Sequence, residues 1–159
     1  MGVVRCGLIL LLLFPSLALA QDFKNYRTTT LDAVISEWDG RTKREEPGIS
    51  FSRPEKIKFV AMMRGAPTRC SNGILATVWR MMGFEHLLKQ VSITHCLVLA
   101  SASGRPVVAF VQDVIIPGLN ADAKVGGSLE IYADFLAYQV NADRASNAPI
   151  LLVNRFEPQ

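Results

Sequence analysis

The sequence predicts an α+β domain: a small antiparallel sheet or barrel of five strands, covered by one main helix, with a short helix ahead of it. Three stretches carry this expectation. Val91–Val114 holds two apolar, β-branched-rich runs, VSITHCLVLA and VVAFVQDV, around the turn SASGRP; this is the pattern of a β-hairpin. Lys56–Arg64 alternates, with Ile57, Phe59, Ala61 and Met63 on one side, as a half-buried strand does. Between them, Ile74, Leu75, Val78, Trp79, Met81, Met82 and Phe84 make a helix that is apolar on more than one side. Such a helix is expected to pack on the sheet.

Residues 1–20 read as a secretory signal peptide. Arg5 supplies a small positive start, Gly7–Phe14 is an apolar run, and Ala18-Leu19-Ala20 is a small-x-small cleavage site before Gln21. The apolar run is shorter than the about 20 residues a spanning helix needs. Cys6 precedes that run and Gln21 follows the cut, so a lipoprotein signal does not fit. The expected location is periplasmic or secreted, after cleavage following Ala20, with no membrane span. Residues 21–54 form an N-terminal lead-in with a short helix and a loop, and residues 55–159 a β-rich core. The chain has 17 Lys and Arg against 14 Asp and Glu, a net charge of +3. That weak excess points to neither a nucleic-acid partner nor a membrane surface.

Of three cysteines, Cys6 leaves with the signal. Cys70 and Cys96 remain, and export to an oxidising compartment favours a disulfide between them. The alternative is buried free thiols.

The remaining elements follow in order. In Thr30–Trp38, Thr30 can cap a helix, and Leu31, Val34, Ile35 and Trp38 fall on one stripe. Asp39-Gly40 is expected to end it. Arg41–Pro54 mixes Arg41, Lys43 and Arg44 with Glu45 and Glu46, so its charges cancel and it reads as a solvated loop. Ile115–Lys124 holds turn residues and reads as a turn or one short helical turn. Gly126-Gly127 then leads into Leu129–Val140, where Leu129, Ile131, Ala133, Phe135 and Ala137 alternate with Glu130, Tyr132, Asp134, Leu136 and Tyr138. Asn141–Pro149 is a polar loop and Ile150–Phe156 a closing strand.

This Gly-Gly turn, long strand, polar loop and closing strand resemble the end of an oligonucleotide/oligosaccharide-binding (OB) fold. The resemblance covers about residues 56–156. One feature departs from it. The main helix lies between the first and second strands, whereas OB folds place theirs between the third and fourth. Either the barrel carries an inserted helix or the domain is a different α+β sheet.

Catalytic signatures are missing from the sequence. His95 and Cys96 point to opposite faces of a strand and form no ready dyad. Glu85-His86 is not HExxH. Cys70, His86, His95 and Cys96 match no paired metal-ligand spacing, so neither a metal nor another cofactor is expected. Ser103-Gly104 lies at a hairpin tip with no GxSxG context. Dispersed carboxylates, Asp113, Glu130 and Asp134, could still approach one another as in glycoside hydrolysis. A binding face is the better-supported reading. Tyr132 and Tyr138 are expected on one side of a strand with Asp134 between them and Arg155 on the neighbouring strand, a set suited to stacking on a sugar or a peptide side chain. The expected function is therefore an exported, non-enzymatic binding or accessory protein of the cell envelope, with a protein or glycan ligand. The alternative is a small envelope hydrolase using the dispersed acidic residues or His95. Single-strand nucleic-acid binding ranks below both.

Overall fold

The computed structural model describes residues 23–159; the expected signal peptide and its cleavage site lie outside them. The fold is α+β. One seven-stranded sheet runs in the order β1 (Arg27–Thr28), β2 (Gly48–Met63), β6 (Ser128–Val140), β7 (Ala148–Pro158), β5 (Pro106–Val111), β4 (His95–Ala100) and β3 (Thr68–Arg69). The end of β2 also pairs with β4, Met62 opposite Ala100 and Met63 opposite Leu99, so the sheet curls back on itself. The β1–β2 and β5–β7 pairs are parallel and the rest antiparallel. Among the described residues three α-helices accompany the sheet: α1 (Leu31–Arg41), α2 (Gly73–Met81) and α3 (Ile116–Asp122).

Strand alternation sorts the apolar residues into two clusters, one on each face. The first gathers Ile57, Phe59, Ala61 and Met63 of β2 with Leu97, Leu99, Val107, Ala109, Leu129, Ile131, Leu151 and Val153. Leu31, Val34, Ile35 and Trp38 of α1 and Leu119 of α3 join it. The opposite face carries the second: Cys96, Phe110, Leu136, Ile150 and Leu152, covered by Leu75, Val78 and Trp79 of α2. The α2 helix therefore lies on the sheet face that points away from α1. Cys70, just before α2, is disulfide-bonded to Cys96 of β4 with Cα atoms 5.7 Å apart, which anchors the start of the helix to that face.

Several boundaries differ from expectation for identifiable reasons. Gly40 does not end α1, which runs on to Arg41. Thr42 closes the helix instead, donating both its backbone N–H (2.9 Å) and its hydroxyl (2.7 Å) to the Trp38 carbonyl. The expected loop Arg41–Pro54 becomes strand from Gly48 onward, because β6 is long enough to pair with it as far as Gly48 opposite Val140. The register slips between Phe51 and Glu55, where Pro54 has no N–H to give a ladder. This slip flips the alternation. Ile49 and Phe51 pack with the α2 cluster, whereas Ile57 and Phe59 face α1. Ile115–Lys124 is more ordered than expected, with a 3₁₀ turn at Asp113–Ile115 leading directly into α3.

Candidate functional site

The four expected binding residues do not share one face, because the pairing of β6 with β7 is interrupted, once by an extra residue in each strand. Between Phe135 and Ala137 the register to β7 slips, leaving Leu136 as an extra residue. A bulge of this kind exchanges inward and outward positions beyond it. Tyr138 is thereby turned into the first cluster and is fully buried. Its ring stacks on Trp38 with centroids 5.7 Å apart, and its hydroxyl donates to Asp39 Oδ1 at 2.8 Å. Burial and this bond to a carboxylate push its pKa upward. Asp39 also accepts from Asn147 at 3.1 Å and from Arg105 at 3.0 Å, and despite the opposing effect of burial these bonds hold its pKa below the ordinary value. The Tyr138 corner is a structural anchor for α1.

Tyr132, Asp134 and Arg155 do come together on the other face. The second interruption, opposite Tyr132 and Ala133, makes Asn154 the extra residue of β7. Tyr132 is already covered by the chain itself. Phe23 and Tyr26 lie against its ring at 5.3 and 5.5 Å, and the Arg155 guanidinium sits over both Phe23 (4.7 Å) and Tyr132 (5.3 Å). Tyr132 donates to Glu130 Oε2 at 2.8 Å; this bond, with burial, pushes its pKa up to about 12. Glu130 also pairs with Lys58 at 3.5 Å.

Asp134 opens into a cleft of about 450 Å³ between this face and α2. Leu136 and Leu152 continue its floor. Trp79, Phe84, Leu87 and Val91 form the helix-side wall, and Arg53, Pro54, Glu55 and Lys56 the opposite rim. Gln112 and Asn154 supply amides. The Gln112 side-chain N–H donates to Asn154 Oδ1 at 2.5 Å, and Asn154 donates to the Tyr26 hydroxyl at 3.1 Å. Burial raises the Asp134 pKa against the lowering effects of an Asn154 hydrogen bond and the Lys56 charge. Lys56 stands directly across from Asp134 on β2, with its ammonium 5.6 Å from the centre of the Tyr26 ring. Among the described residues no cation forms a salt bridge with Asp134.

A half-buried carboxylate whose burial outweighs its favourable contacts weakens the fold it sits in. Asp134→Asn is therefore expected to stabilise the protein at pH 7 by ~0.5–1 kcal/mol, the usual range for relieving one such feature. The sign follows from the raised folded pKa. The folded state holds the proton at pH values where the unfolded chain has lost it, so wild-type stability falls as pH rises from about 3.9 through the folded value. The advantage of the variant should vanish at pH 3, where both states of the wild type are protonated. Thermal unfolding of both proteins at pH 3 and pH 7 measures this; a lower Tm for the variant at pH 7 contradicts it.

A second groove, of about 420 Å³, lies beside Ile74, Val108, Phe110 and Ile150. The polar groups there are spent: Arg105 donates to Asp39 and to the Ala145 and Asn147 carbonyls.

Among the titratable groups weighed for catalysis, His95 meets Asp113. His95 Nδ1 lies 3.0 Å from Asp113 Oδ1. Asp113 also accepts from the Ser92 hydroxyl (2.6 Å) and from the Thr94 backbone N–H (2.9 Å) and hydroxyl (2.9 Å). Burial opposes ionisation of Asp113, yet these donors hold its pKa well below the carboxylate range. Ser92 gives its proton to Asp113, so it is not poised as a nucleophile with His95 as its base. Glu130 and Asp134 are four residues apart on one strand, about 13 Å at the usual rise, beyond the ~5–9.5 Å of paired glycosidase carboxylates. Among the described residues no three His, Cys, Asp or Glu side chains gather as a metal site. No described helix is long and apolar enough to cross a membrane.

Protein-family models, curated proteins and solved structures offer no match to this chain.

Proposed function

We propose that this is an exported, non-catalytic binding domain of the cell envelope, built on an OB-like barrel with an inserted helix. The OB-like reading is supported by β2 pairing with both β4 and β6, by the parallel β5–β7 pair, and by α3 lying between the third and fourth long strands. On this reading α2 is the insertion. It covers part of the outer face with which OB folds commonly hold nucleic acid, which weighs against a nucleic-acid ligand. Export is supported by the sequence of residues 1–20 and by the Cys70–Cys96 disulfide.

The single observation that carries the binding function is the cleft at Asp134. It joins apolar walls to a few convergent polar groups and one carboxylate of raised pKa, the usual make-up of a ligand site. Between protein and glycan, the mixed lining, with Trp79, Phe84, Leu87, Val91, Leu136 and Leu152 on one side and Arg53, Glu55, Lys56 and Asp134 on the other, favours a protein segment that carries both apolar and charged side chains.

A pull-down by the mature protein from its own envelope extract tests this. A species retained by the wild type and lost with Asp134→Asn is expected. Retention indifferent to that substitution, or none above a mock column, overturns it.

The hydrolase reading keeps one observation in its favour, the His95–Asp113 pair. The neighbouring hollow, of about 140 Å³, is lined by Gln90, Val91, Ser92, Gln112 and Val114, and adds no second titratable group to that pair.

A further inference from the structure

We infer that Asn72 is a site of self-modification: an Asn-Gly pair that the folded, disulfide-bonded chain holds closed and that reduction of Cys70–Cys96 opens to deamidation. The inference is independent of the cleft reading.

Of the asparagines in the chain, only Asn72 precedes a glycine. In such a pair the glycine nitrogen can reach the asparagine side-chain carbonyl, because no Cβ of the second residue stands in its way. A bond forms between the Gly73 nitrogen and Asn72 Cγ. The Gly73 nitrogen gives up its proton, and the side-chain nitrogen leaves as ammonia. Water then opens the succinimide ring at either carbonyl, giving aspartate or isoaspartate. Water is the sole co-reactant.

Three features oppose this ring closure in the folded protein. First, the Asn72 side-chain amide donates to the Ile93 carbonyl at 3.1 Å, which pins Cγ against the chain entering β4. Second, Asn72 stands at ψ 15°, and its carbonyl accepts from the Ala76 N–H at 2.8 Å at the start of α2. The succinimide ring needs Cβ and the Gly73 nitrogen nearly eclipsed about the Cα–C bond. The ψ angle must therefore rotate far from its folded value, and the bond to Ala76 must break. Third, the Gly73 N–H donates to the Ser71 hydroxyl at 3.3 Å.

The disulfide is the latch on these restraints. Cys70, just before Asn72, is bonded to Cys96 of β4, and its N–H donates to the Thr94 carbonyl at 3.0 Å. While Cys70 stays beside β4, Asn72 stays beside Ile93. A dithiol reductant cleaves the bond by exchange, leaving both cysteines as thiols and itself as a disulfide. The entrance of α2 then rests on the short β3–β4 pairing and on these hydrogen bonds. Such helix ends open locally at far less cost than the whole fold. Either product has lost the N–H that the Ile93 carbonyl accepts, so each conversion permanently marks the entrance of the helix that carries Trp79 into the cleft wall.

Peptide mapping by mass spectrometry tests this on the full-length protein in its secreted form, held at neutral pH. Conversion at Asn72 is followed in the oxidised protein, in protein reduced with dithiothreitol, and in protein unfolded in urea. The two native samples contain sucrose, which favours the compact state, and circular dichroism reports whether the reduced protein stays folded. Gly73→Ala is carried through the same series. A Cβ at position 73 meets the Ser71 hydroxyl at an ordinary 3.4 Å, so this variant folds. The oxidised protein should convert about tenfold more slowly than the unfolded chain, or slower still, the factor for a local opening that costs about 1.4 kcal/mol. The reduced, folded protein should fall between them. Gly73→Ala should suppress conversion in every sample. Equal rates in oxidised and unfolded protein overturn the protection by the fold. Equal rates in oxidised and reduced protein, or outright unfolding on reduction, overturn the disulfide as a local latch. Undiminished conversion in Gly73→Ala overturns the ring chemistry.

Discussion

Replacing Trp38 with alanine is expected to destabilise the protein by about 3–5 kcal/mol, the range for deleting a large buried aromatic. Trp38 is 5 % exposed. Its ring lies 5.1 Å from Phe135 and 5.7 Å from Tyr138, both of β6, and the Arg41 guanidinium covers it at 5.2 Å. With Leu31, Val34 and Ile35 it carries α1 into the cluster that β2, β4, β5, β6 and β7 share. Ser103 and Arg105, in the turn after β4, hold the same helix through Asp32 and Asp39. Truncating the ring leaves a cavity at this junction, and the hydrogen-bonded ends of α1 resist collapse into it. Urea unfolding followed by circular dichroism should show a lower midpoint at an unchanged m-value. A loss under about 1 kcal/mol, the usual size of a surface change, would mean that α1 is an accessory segment lying against a self-sufficient core.

The second large effect is expected at the disulfide. Cys70 and Cys96 are separated by 26 residues, so replacing both by serine frees a loop whose closure is worth about 3.5 kcal/mol in the chain-entropy model. The loop contains all of α2. Without the bond, α2 keeps Leu75, Val78 and Trp79 on the sheet but loses the tether at its entrance. The double serine variant should unfold at a lower denaturant concentration, and so should reduced wild-type protein. Trp79 lines the Asp134 cleft, so the same change should broaden its indole signal before global unfolding. Equal stability of the oxidised and reduced wild type contradicts this account.

These two positions also show what was legible in the sequence. Trp38 was, because Leu31, Val34, Ile35 and Trp38 repeat at helical spacing and Thr30 caps the helix by accepting from the Ala33 N–H at 3.1 Å. So was the hairpin, in which Leu97 pairs with Ala109 and Val98 with Val108. The Cys70–Cys96 pairing followed from an even count and an address. Tyr138 was misplaced because strict alternation from Leu129 onward puts it beside Tyr132, and nothing in LEIYADFLAYQV marks Leu136 as a bulge. The exchange of faces is imposed by pairing with β7, a long-range constraint that local period does not carry. The cleft was half legible. Asp134 stood out as a polar residue in an apolar strand, and Asn154 in the run ILLVNRF carried the same signal. Its meeting with Gln112, Trp79 and Phe84 depends on where α2 docks, and an apolar helix does not state which sheet face it will cover. Phe23 and Tyr26 lay in a polar stretch without period, so their place over Tyr132 had no sequence signal.

The central claim is that this domain receives a partner at the cleft beside Asp134. Site-specific photo-crosslinking tests it most directly. Phe84, 39 % exposed at the rim of the cleft, is replaced by p-benzoylphenylalanine, and the same probe is placed at Val125, 61 % exposed in the turn before β6, as the comparison. After illumination in envelope extract, the probe at position 84 is expected to give one discrete adduct that disappears when Asp134→Asn is added, and the probe at 125 to give none. Equal labelling from both positions, or an adduct at 84 that survives Asp134→Asn, would contradict the account.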